Sequence, residues 1–251
     1  ESGHGLARAS GRGGSVFGIA SGGGCFKFAA MRQLVVGRTA RRLALVLGCG
    51  LWVFAGAALR AAEEAPVSEE AREQFLREFK RIGLNTTPGD AMLLRILVQA
   101  SGAQRGVEVG SATGYGALHM GVGFERNGGR LITIDIDPEM VRQCRANLKK
   151  AGLEKTVTAV EGDALKVLPT LEGEFDFVFI DAVKRDYLKY LRAIEPKLKP
   201  GAVVVADNVI QFAREMQDYL EHVERGGAYE TVIVRASMEK NDGMAISYKR
   251  R

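Results

Sequence analysis

The sequence predicts an α/β fold built on a doubly wound, mostly parallel sheet, and two observations support this prediction. After Pro66, short apolar runs typical of strands alternate with helical runs, and Gly or Pro turns separate them. Alternation of this kind indicates a parallel sheet with helices on both faces. The 251-residue chain is 46% hydrophobic and 26% charged, which excludes the disordered, collagen-like and disulfide-scaffold classes.

The alternation predicts seven strands and a regular series of helices. The predicted strands are residues 106–109, 131–136, 157–160, 175–180, 202–206, 231–234 and 244–248. The predicted helices are residues 68–82, a helix that Pro88 opens, and residues 115–124, 138–151, 164–171, 183–198 and 211–224. Asn241, Asp242 and Gly243 lie between the last two strands and favour an antiparallel hairpin at one edge of the sheet. We find no internal repeat and no second folded domain.

Basic residues are concentrated at the N-terminus. Residues 1–62 carry eight Lys and Arg against a single acid, a net charge of +7, whereas residues 63–251 have a net charge of −2. The total of +5 therefore does not indicate nucleic acid as a partner, and we predict no such partner. We divide the chain into a basic leader, residues 1–62, and one folded domain, residues 63–251.

An uncharged apolar segment, residues 43–59, follows three arginines of the leader. A basic region followed by apolar and small residues is typical of an export signal. The segment is also long enough to remain in a bilayer as an anchor, so we predict a signal peptide or membrane contact through it. An organelle transit peptide and a buried core helix stay open as alternatives. We expect the catalytic domain itself to be soluble.

The segment after the first predicted strand has the composition of a ligand-binding loop. Glu108 precedes the glycines at positions 110, 114 and 116, and Ser111 lies between the first two. This spacing differs from the Gly-x-Gly-x-x-Gly of dinucleotide sites and lacks the Gly-Lys-Ser/Thr of a phosphate loop. Glycines allow a ligand to approach the backbone closely, and Glu108 favours a cationic ligand.

Acidic residues lie at the C-terminal ends of the next two predicted strands or just after them. Asp135 can accept both hydroxyls of a ribose, and the turn at Asp163 and Ala164 can bind an adenine edge. In open α/β sheets, ligands bind beyond the C-terminal ends of the strands, where these residues stand. The alternatives are helix N-caps at Asp137 and Asp163 and a plain capping turn in the glycine loop.

On these motifs, residues 85–251 resemble the class I S-adenosylmethionine-dependent O-methyltransferases, which have a Rossmann-like sheet. Within that group they resemble the metal-dependent branch that contains the catechol and caffeoyl-CoA O-methyltransferases. The resemblance implies S-adenosylmethionine as the cofactor, with the glycine loop at its methionine part. The implied cofactor-binding residues are Thr86, Glu108, Gly110, Ser111, Gly116, Asp135, Asp163 and Ala164.

Asp181 follows the fourth predicted strand, and Asp207 and Asn208 follow the fifth. The ends of these strands are neighbours in such a sheet, so two carboxylates and an amide oxygen converge, a set that suits Mg²⁺ or another hard divalent cation. The resemblance implies that these residues bind the metal and that Lys184 is the catalytic general base. The alternatives are a helix N-cap at Asp181, a plain turn at 207–208 and a solvated surface position for Lys184.

The expected reaction is metal-dependent transfer of a methyl group to a hydroxyl of a small vicinal dihydroxy-aromatic or of an aryl-CoA ester. Val183 stands where the catechol enzymes have a Trp and the caffeoyl-CoA enzymes an acid, which leaves the substrate open. Two other functions stay open: a nicotinamide-dependent oxidoreductase on the same sheet, and a non-catalytic, membrane-tethered binding module. A homodimer also stays open as the assembly.

Overall fold

The computed structural model describes residues 66–250, and all structural statements below concern that part of the chain. Its strands are β1 (Arg105–Val109), β2 (Arg130–Asp135), β3 (Val157–Glu161), β4 (Phe175–Ile180), β5 (Leu198–Ala206), β6 (Tyr229–Val234) and β7 (Met244–Lys249). Its α-helices are α1 (Glu69–Arg77), α2 (Pro88–Ser101), α3 (Tyr115–Arg126), α4 (Pro138–Lys150), α5 (Ala164–Val167), α6 (Tyr187–Ile194) and α7 (Gln217–Arg225). Three short 3₁₀ turns cover Leu168–Thr170, Lys184–Asp186 and Glu195–Lys197.

The seven strands of residues 66–250 form one sheet in the order β3-β2-β1-β4-β5-β7-β6. Strands β1 to β5 pair in parallel, whereas β7 runs antiparallel to both β5 and β6. The predicted fold class and the predicted hairpin are therefore confirmed. The chain reverses its direction of winding between β1 and β4, and such a switch point opens a crevice at the C-terminal ends of the strands.

Alternating side chains of the central strand β4 build the cores on both faces of the sheet. Phe177 and Phe179 pack into the cluster formed with α2, α3 and α4, whereas Val178 and Ile180 pack into the cluster formed with α6 and α7. All four side chains are buried, because a central strand covered on both faces has no solvent-facing side. This buried frame fixes the positions at which β4 and its neighbours end.

Several predicted helices are wrong in extent. The predicted helix 68–82 ends at Arg77, and residues 164–171 and 183–198 are each divided between an α-helix and 3₁₀ turns. The helix α6 ends at Ile194 and is followed by the 3₁₀ turn Glu195–Lys197, in which Pro196 has no N–H to donate to the preceding helical turn. The predicted helix 211–224 begins only at Gln217, because the Asp242 carboxylate accepts the backbone N–H groups of residues 210 and 211 and holds that segment in a turn.

The predicted leader, residues 1–62, lies outside the described residues, and so does its apolar segment 43–59. Within residues 66–250, every helix is too short or too polar to cross a membrane.

Candidate active site

A cavity of about 730 Å³ lies at the C-terminal ends of β1, β2, β4 and β5. Nine of the twelve residues that the sequence singled out line it: Thr86, Gly110, Asp135, Asp163, Ala164, Asp181, Lys184, Asp207 and Asn208. The other three, Glu108, Ser111 and Gly116, line a small adjoining pocket whose wall also includes Thr86, Gly110 and Asp181. The fold thus brings all twelve residues around one continuous region.

Gly110 allows the glycine loop to cross the junction of β1 and β4. Its φ is +96°, and a Cβ at this position would lie 2.0 Å from the carbonyl oxygen of Asp181. Backbone hydrogen bonds fix the crossing: Gly110 donates to Ile134 at 2.8 Å, and Asp181 donates to Val109 at 2.8 Å. A larger residue would force the loop and the end of β4 apart, so glycine is required by both backbone conformation and space.

The Asp135 carboxylate holds the other side of the glycine loop. It accepts the backbone N–H of Ala112 at 2.8 Å and that of Asp137 at 3.0 Å. Ala112 has a φ of +44°, which is uncommon for a residue with a side chain and is a feature of constrained functional loops. Asp135 therefore stands at the cavity wall with its carboxylate oriented by backbone on two sides.

The capping alternatives are also observed at two of the acids. Asp137 caps α4, since its side chain accepts the N–H groups of residues 139 and 140. Asp163 caps α5 by accepting the N–H of Leu165 at 2.9 Å. Asp163 does so while lining the cavity, so capping and a ligand-facing position are compatible there.

Glu108 is a fully buried carboxyl group beneath the loop. Burial raises the pKa of Glu108 to about 8; the hydrogen bond that it accepts from Thr133 acts against this rise, and the nearby carboxylates of Asp181 and Asp135 add to it. Without a bound cation, Glu108 is thus mainly protonated at neutral pH. A cationic ligand in the adjoining pocket would favour its ionised form.

Two polar groups beside Glu108 are buried without a hydrogen-bond partner: the side-chain nitrogen of Asn85 and the hydroxyl of Thr86. Both residues line the cavity and the adjoining pocket. Buried polar groups in folded proteins nearly always have partners. Unpaired groups that face a pocket are therefore suited to a polar ligand, such as the charged end of an amino acid.

Lys184 is held inside the site. Its Nζ donates to Asp181 Oδ1 at 2.8 Å and to Tyr187 Oη at 2.8 Å, and Tyr187 Oη in turn donates to the carbonyl oxygen of Asp207 at 3.2 Å. The Lys184 side chain is only 16% exposed, which contradicts the alternative of a solvated surface lysine. Asp181 makes this ion pair and does not cap the following helix.

Asp207 forms an ion pair that the sequence did not predict. Lys240 Nζ donates to Asp207 Oδ1 at 2.6 Å and to Oδ2 at 2.7 Å, and it lies 2.9 Å from Asp90 Oδ2. Burial raises the pKa of Asp207, the Asp181 carboxylate raises it further, and the Lys240 ammonium opposes both. Burial tends to lower the pKa of Lys240, but Asp207 and Asp90 outweigh this effect and raise it.

Asn208 has a left-handed backbone with a φ of +61°. Its N–H donates to Asp207 Oδ1 at 2.6 Å, and its side-chain Nδ2 donates to Asp242 Oδ2 at 3.2 Å. These two hydrogen bonds fix the backbone and the side chain of Asn208 where it lines the cavity.

Residues from two distant segments complete the cavity wall, and sequence analysis missed them. Arg81 and Glu239 form an ion pair at 2.7 Å that joins the segment before α2 to the loop between β6 and β7. Asp90 completes a Thr87-x-x-Asp90 capping pattern and accepts a hydrogen bond from the Thr87 hydroxyl at 2.7 Å. The capping pattern explains why an acid stands at position 90, but nothing in the sequence connects Asp90 with Lys240.

The donor set matches the preferences of a hard divalent cation. Within residues 66–250, no group of three or more His, Cys, Asp or Glu side chains is arranged to hold a metal ion. A cation here would depend on two carboxylates, Asp181 and Asp207, together with the Asn208 amide oxygen and water. All-oxygen sets of this kind bind Mg²⁺ and similar ions.

A doubly wound sheet with a glycine loop after β1, an acid at the end of β2 and a polar cavity at its switch point is the arrangement found in S-adenosylmethionine-dependent methyltransferases. A sequence profile described as O-methyltransferase matches residues 59–226. The chain belongs to this O-methyltransferase family and is an enzyme that transfers a methyl group from S-adenosylmethionine to oxygen. The resemblance drawn from the motifs is confirmed.

Individual relatives agree with this assignment. The chain is 29% identical over 194 residues to a catechol O-methyltransferase from Niastella koreensis, covering 70% of this chain and 87% of the relative. It is 36% identical over 135 residues to a catechol O-methyltransferase from Mycobacterium tuberculosis, covering 53% and 60%. The O-methyltransferase TomG from Streptomyces achromogenes, solved in complex with SAM, is 25% identical with a TM-score of 0.65, covering 75% of this chain and 93% of that one. These matches favour neither the oxidoreductase nor the non-catalytic module.

Proposed function

We propose that this enzyme methylates a hydroxyl of a small vicinal dihydroxy-aromatic, or of an aryl-CoA ester, and that it requires a divalent cation. The observation that carries the proposal is the convergence of Asp181, Lys184, Asp207 and Asn208 on the same cavity that the glycine loop borders. Relatives named for catechol, flavonoid and caffeoyl-CoA methylation support the substrate class.

In this proposal the cofactor lies along the C-terminal ends of β1 to β3. Its amino-acid end would meet Glu108, Thr86 and the loop residues Gly110, Ser111 and Gly116, where buried polar groups lack partners. Its ribose would meet Asp135, and its adenine the turn at Asp163 and Ala164. Held there, S-adenosylmethionine supplies an activated methyl group, and the chain's main contribution is to align that group with the acceptor oxygen.

Asp181, Asp207 and the Asn208 amide oxygen would hold the cation beside the acceptor. A divalent cation bound there lowers the pKa of a coordinated hydroxyl. Lys184 would be the group that accepts the proton, since its Nζ is fixed at the cavity wall by Asp181 and Tyr187. Val183 is 47% exposed at the same wall, so the aromatic ring would meet an aliphatic surface there.

The test is methylation of a panel of catechols and caffeoyl-type esters with and without Mg²⁺. We expect turnover with Mg²⁺ and its loss in EDTA. Asp207→Asn removes one of the two carboxylate ligands and is expected to reduce kcat/KM about 100-fold or more. Asp218→Asn, at an exposed position of α7, is the matched control and should leave turnover unchanged. Full activity in EDTA would contradict the cation requirement.

A further inference from the structure

The ammonium group of Lys240 lies where a cation bound to Asp207 would need to be. Both carboxylate oxygens of Asp207 accept hydrogen bonds from Lys240 Nζ, at 2.6 and 2.7 Å. The Asp207 side chain is 3% exposed and that of Lys240 18%. This ion pair is therefore shielded from solvent, and the chain itself places a positive charge on one of the proposed metal ligands.

Asp90 offers the same ammonium a second partner. Its Oδ2 lies 2.9 Å from Lys240 Nζ, and its Oδ1 is buried without any hydrogen-bond partner among the described residues. A buried carboxylate with one unused oxygen can accept a further hydrogen bond at little cost, because that oxygen has already lost its contact with water. Lys240 can therefore leave Asp207 and remain paired.

The Lys240 ammonium and a divalent cation exclude each other at Asp207, because both are positively charged. The ammonium contacts both oxygens of the carboxylate, so a divalent cation approaching from the same direction finds no free lone pair. In addition, two positive charges a few ångströms apart repel strongly at this degree of burial. Lys184, which pairs with Asp181, adds a second positive charge to the cluster. A divalent cation would thus bind Asp207 only after Lys240 has moved away from it.

We propose that Lys240 is a tethered cation that competes with the divalent ion for Asp207 and withdraws to Asp90 when that ion binds. This inference rests on the proposed function, since it concerns the proposed metal ligands. Lys240 is a positioning residue in this scheme: it sets the cation concentration that the enzyme needs, and it keeps Asp207 paired when no divalent ion is bound.

Titration of the full chain with Mn²⁺, followed by the electron paramagnetic resonance signal of free Mn²⁺, tests the inference without relying on activity. Lys240→Met removes the competing charge and is expected to bind Mn²⁺ about tenfold more tightly than the unaltered chain. Lys199→Met, which removes a lysine that pairs with Asp176 outside the cavity, is the matched control and should not change the affinity.

Two further variants keep the test decisive if Lys240→Met fails to fold. Lys240→Arg retains the positive charge and should bind Mn²⁺ about as weakly as the unaltered chain. Asp90→Asn removes the second carboxylate partner of Lys240 but can still accept the hydrogen bond from Thr87. It should weaken Mn²⁺ binding, because within residues 66–250 Asp90 and Asp207 are the two carboxylates that pair with the ammonium.

The outcomes separate the inference from the proposed function. Equal Mn²⁺ affinities in the unaltered chain and in Lys240→Met or Asp90→Asn would overturn the inference and leave the metal site standing. Binding to Lys240→Met alone would support the inference. An absence of Mn²⁺ binding in every folded variant would overturn both the inference and the cation requirement.

Discussion

Glu108 links the cofactor pocket to the stability of the domain. Its pKa is raised from 4.5 to about 8 by burial, whereas in the unfolded chain the carboxyl group ionises at its ordinary pKa. Between these two values the unfolded state binds fewer protons than the folded state at this residue. The contribution of Glu108 to stability therefore falls as the pH rises from about 4.5 to 8.

Replacing Glu108 by glutamine should remove this pH dependence. Without ligand, we expect Glu108→Gln to exceed the unaltered protein in free energy of unfolding at pH 8 by more than about 1 kcal/mol, and the advantage to shrink towards pH 5. Urea unfolding at pH 5 and pH 8 measures this difference in the free energy of unfolding. Glu224→Gln, an exposed position in α7, is the control, and a pH-independent difference for Glu108→Gln would contradict the argument.

At the level of single residues, the sequence predicted those site positions that have a local signal. Asp135 is the last residue of β2, Asp181 and Asp207 each follow directly after an apolar strand, and parallel strands end at the same edge of the sheet. Lys240 and Asp90 have no such signal. One lies in a loop and the other in the first turn of a helix, and only the fold brings their charges within 2.9 Å.

At the level of elements, the crossing between the glycine loop and the end of β4 is the tightest point of the site. Gly110→Ala would place a methyl group 2.0 Å from the Asp181 carbonyl oxygen at a φ of +96°. We expect this variant to lose S-adenosylmethionine binding in isothermal titration calorimetry and to melt at a lower temperature, because the loop and β4 must separate.

Gly102→Ala is the matched control for that variant. Gly102 also has a positive φ, +66°, but a Cβ there would have no atom within 4 Å. The Gly102→Ala variant should lose about 1 kcal/mol of stability through backbone strain alone, and its affinity for the cofactor should be unchanged. If both variants bind the cofactor normally, the crossing does not control the shape of the pocket.

Strands could be predicted from the sequence better than helix boundaries, for a physical reason. A central strand such as β4 is buried on both faces, so all its residues except Asp176 are apolar, and polar residues mark its ends. Helix α7 begins later than its amphipathic pattern suggests, because the Asp242 carboxylate, about 30 residues away in sequence, captures the backbone of residues 210 and 211. Local periodicity carries no information about such a distant partner.

At the level of the whole molecule, the positive net charge lies in residues 1–62, the predicted leader, whereas residues 63–251 have a net charge of −2. We therefore expect residues 1–62 to determine where in the cell the protein is located. In fractionated cells, the full chain should be found in the membrane fraction or with a shortened N-terminus, and a chain limited to residues 63–251 should be found in the soluble fraction. Sequencing the mature N-terminus distinguishes cleavage from anchoring; an intact full chain in the soluble fraction would refute the prediction.

The position of β7 between β5 and β6 has a consequence for the order in which the enzyme forms. Strand β6 is synthesised before β7 but has no neighbour in the sheet until β7 is inserted beside it. The loop that precedes β7 brings Lys240 to the cavity and Asp242 to the side chain of Asn208. The proposed cation side of the cavity therefore lacks these two partners until nearly the whole domain has been synthesised, whereas the proposed cofactor residues of β1 to β3 are all synthesised earlier.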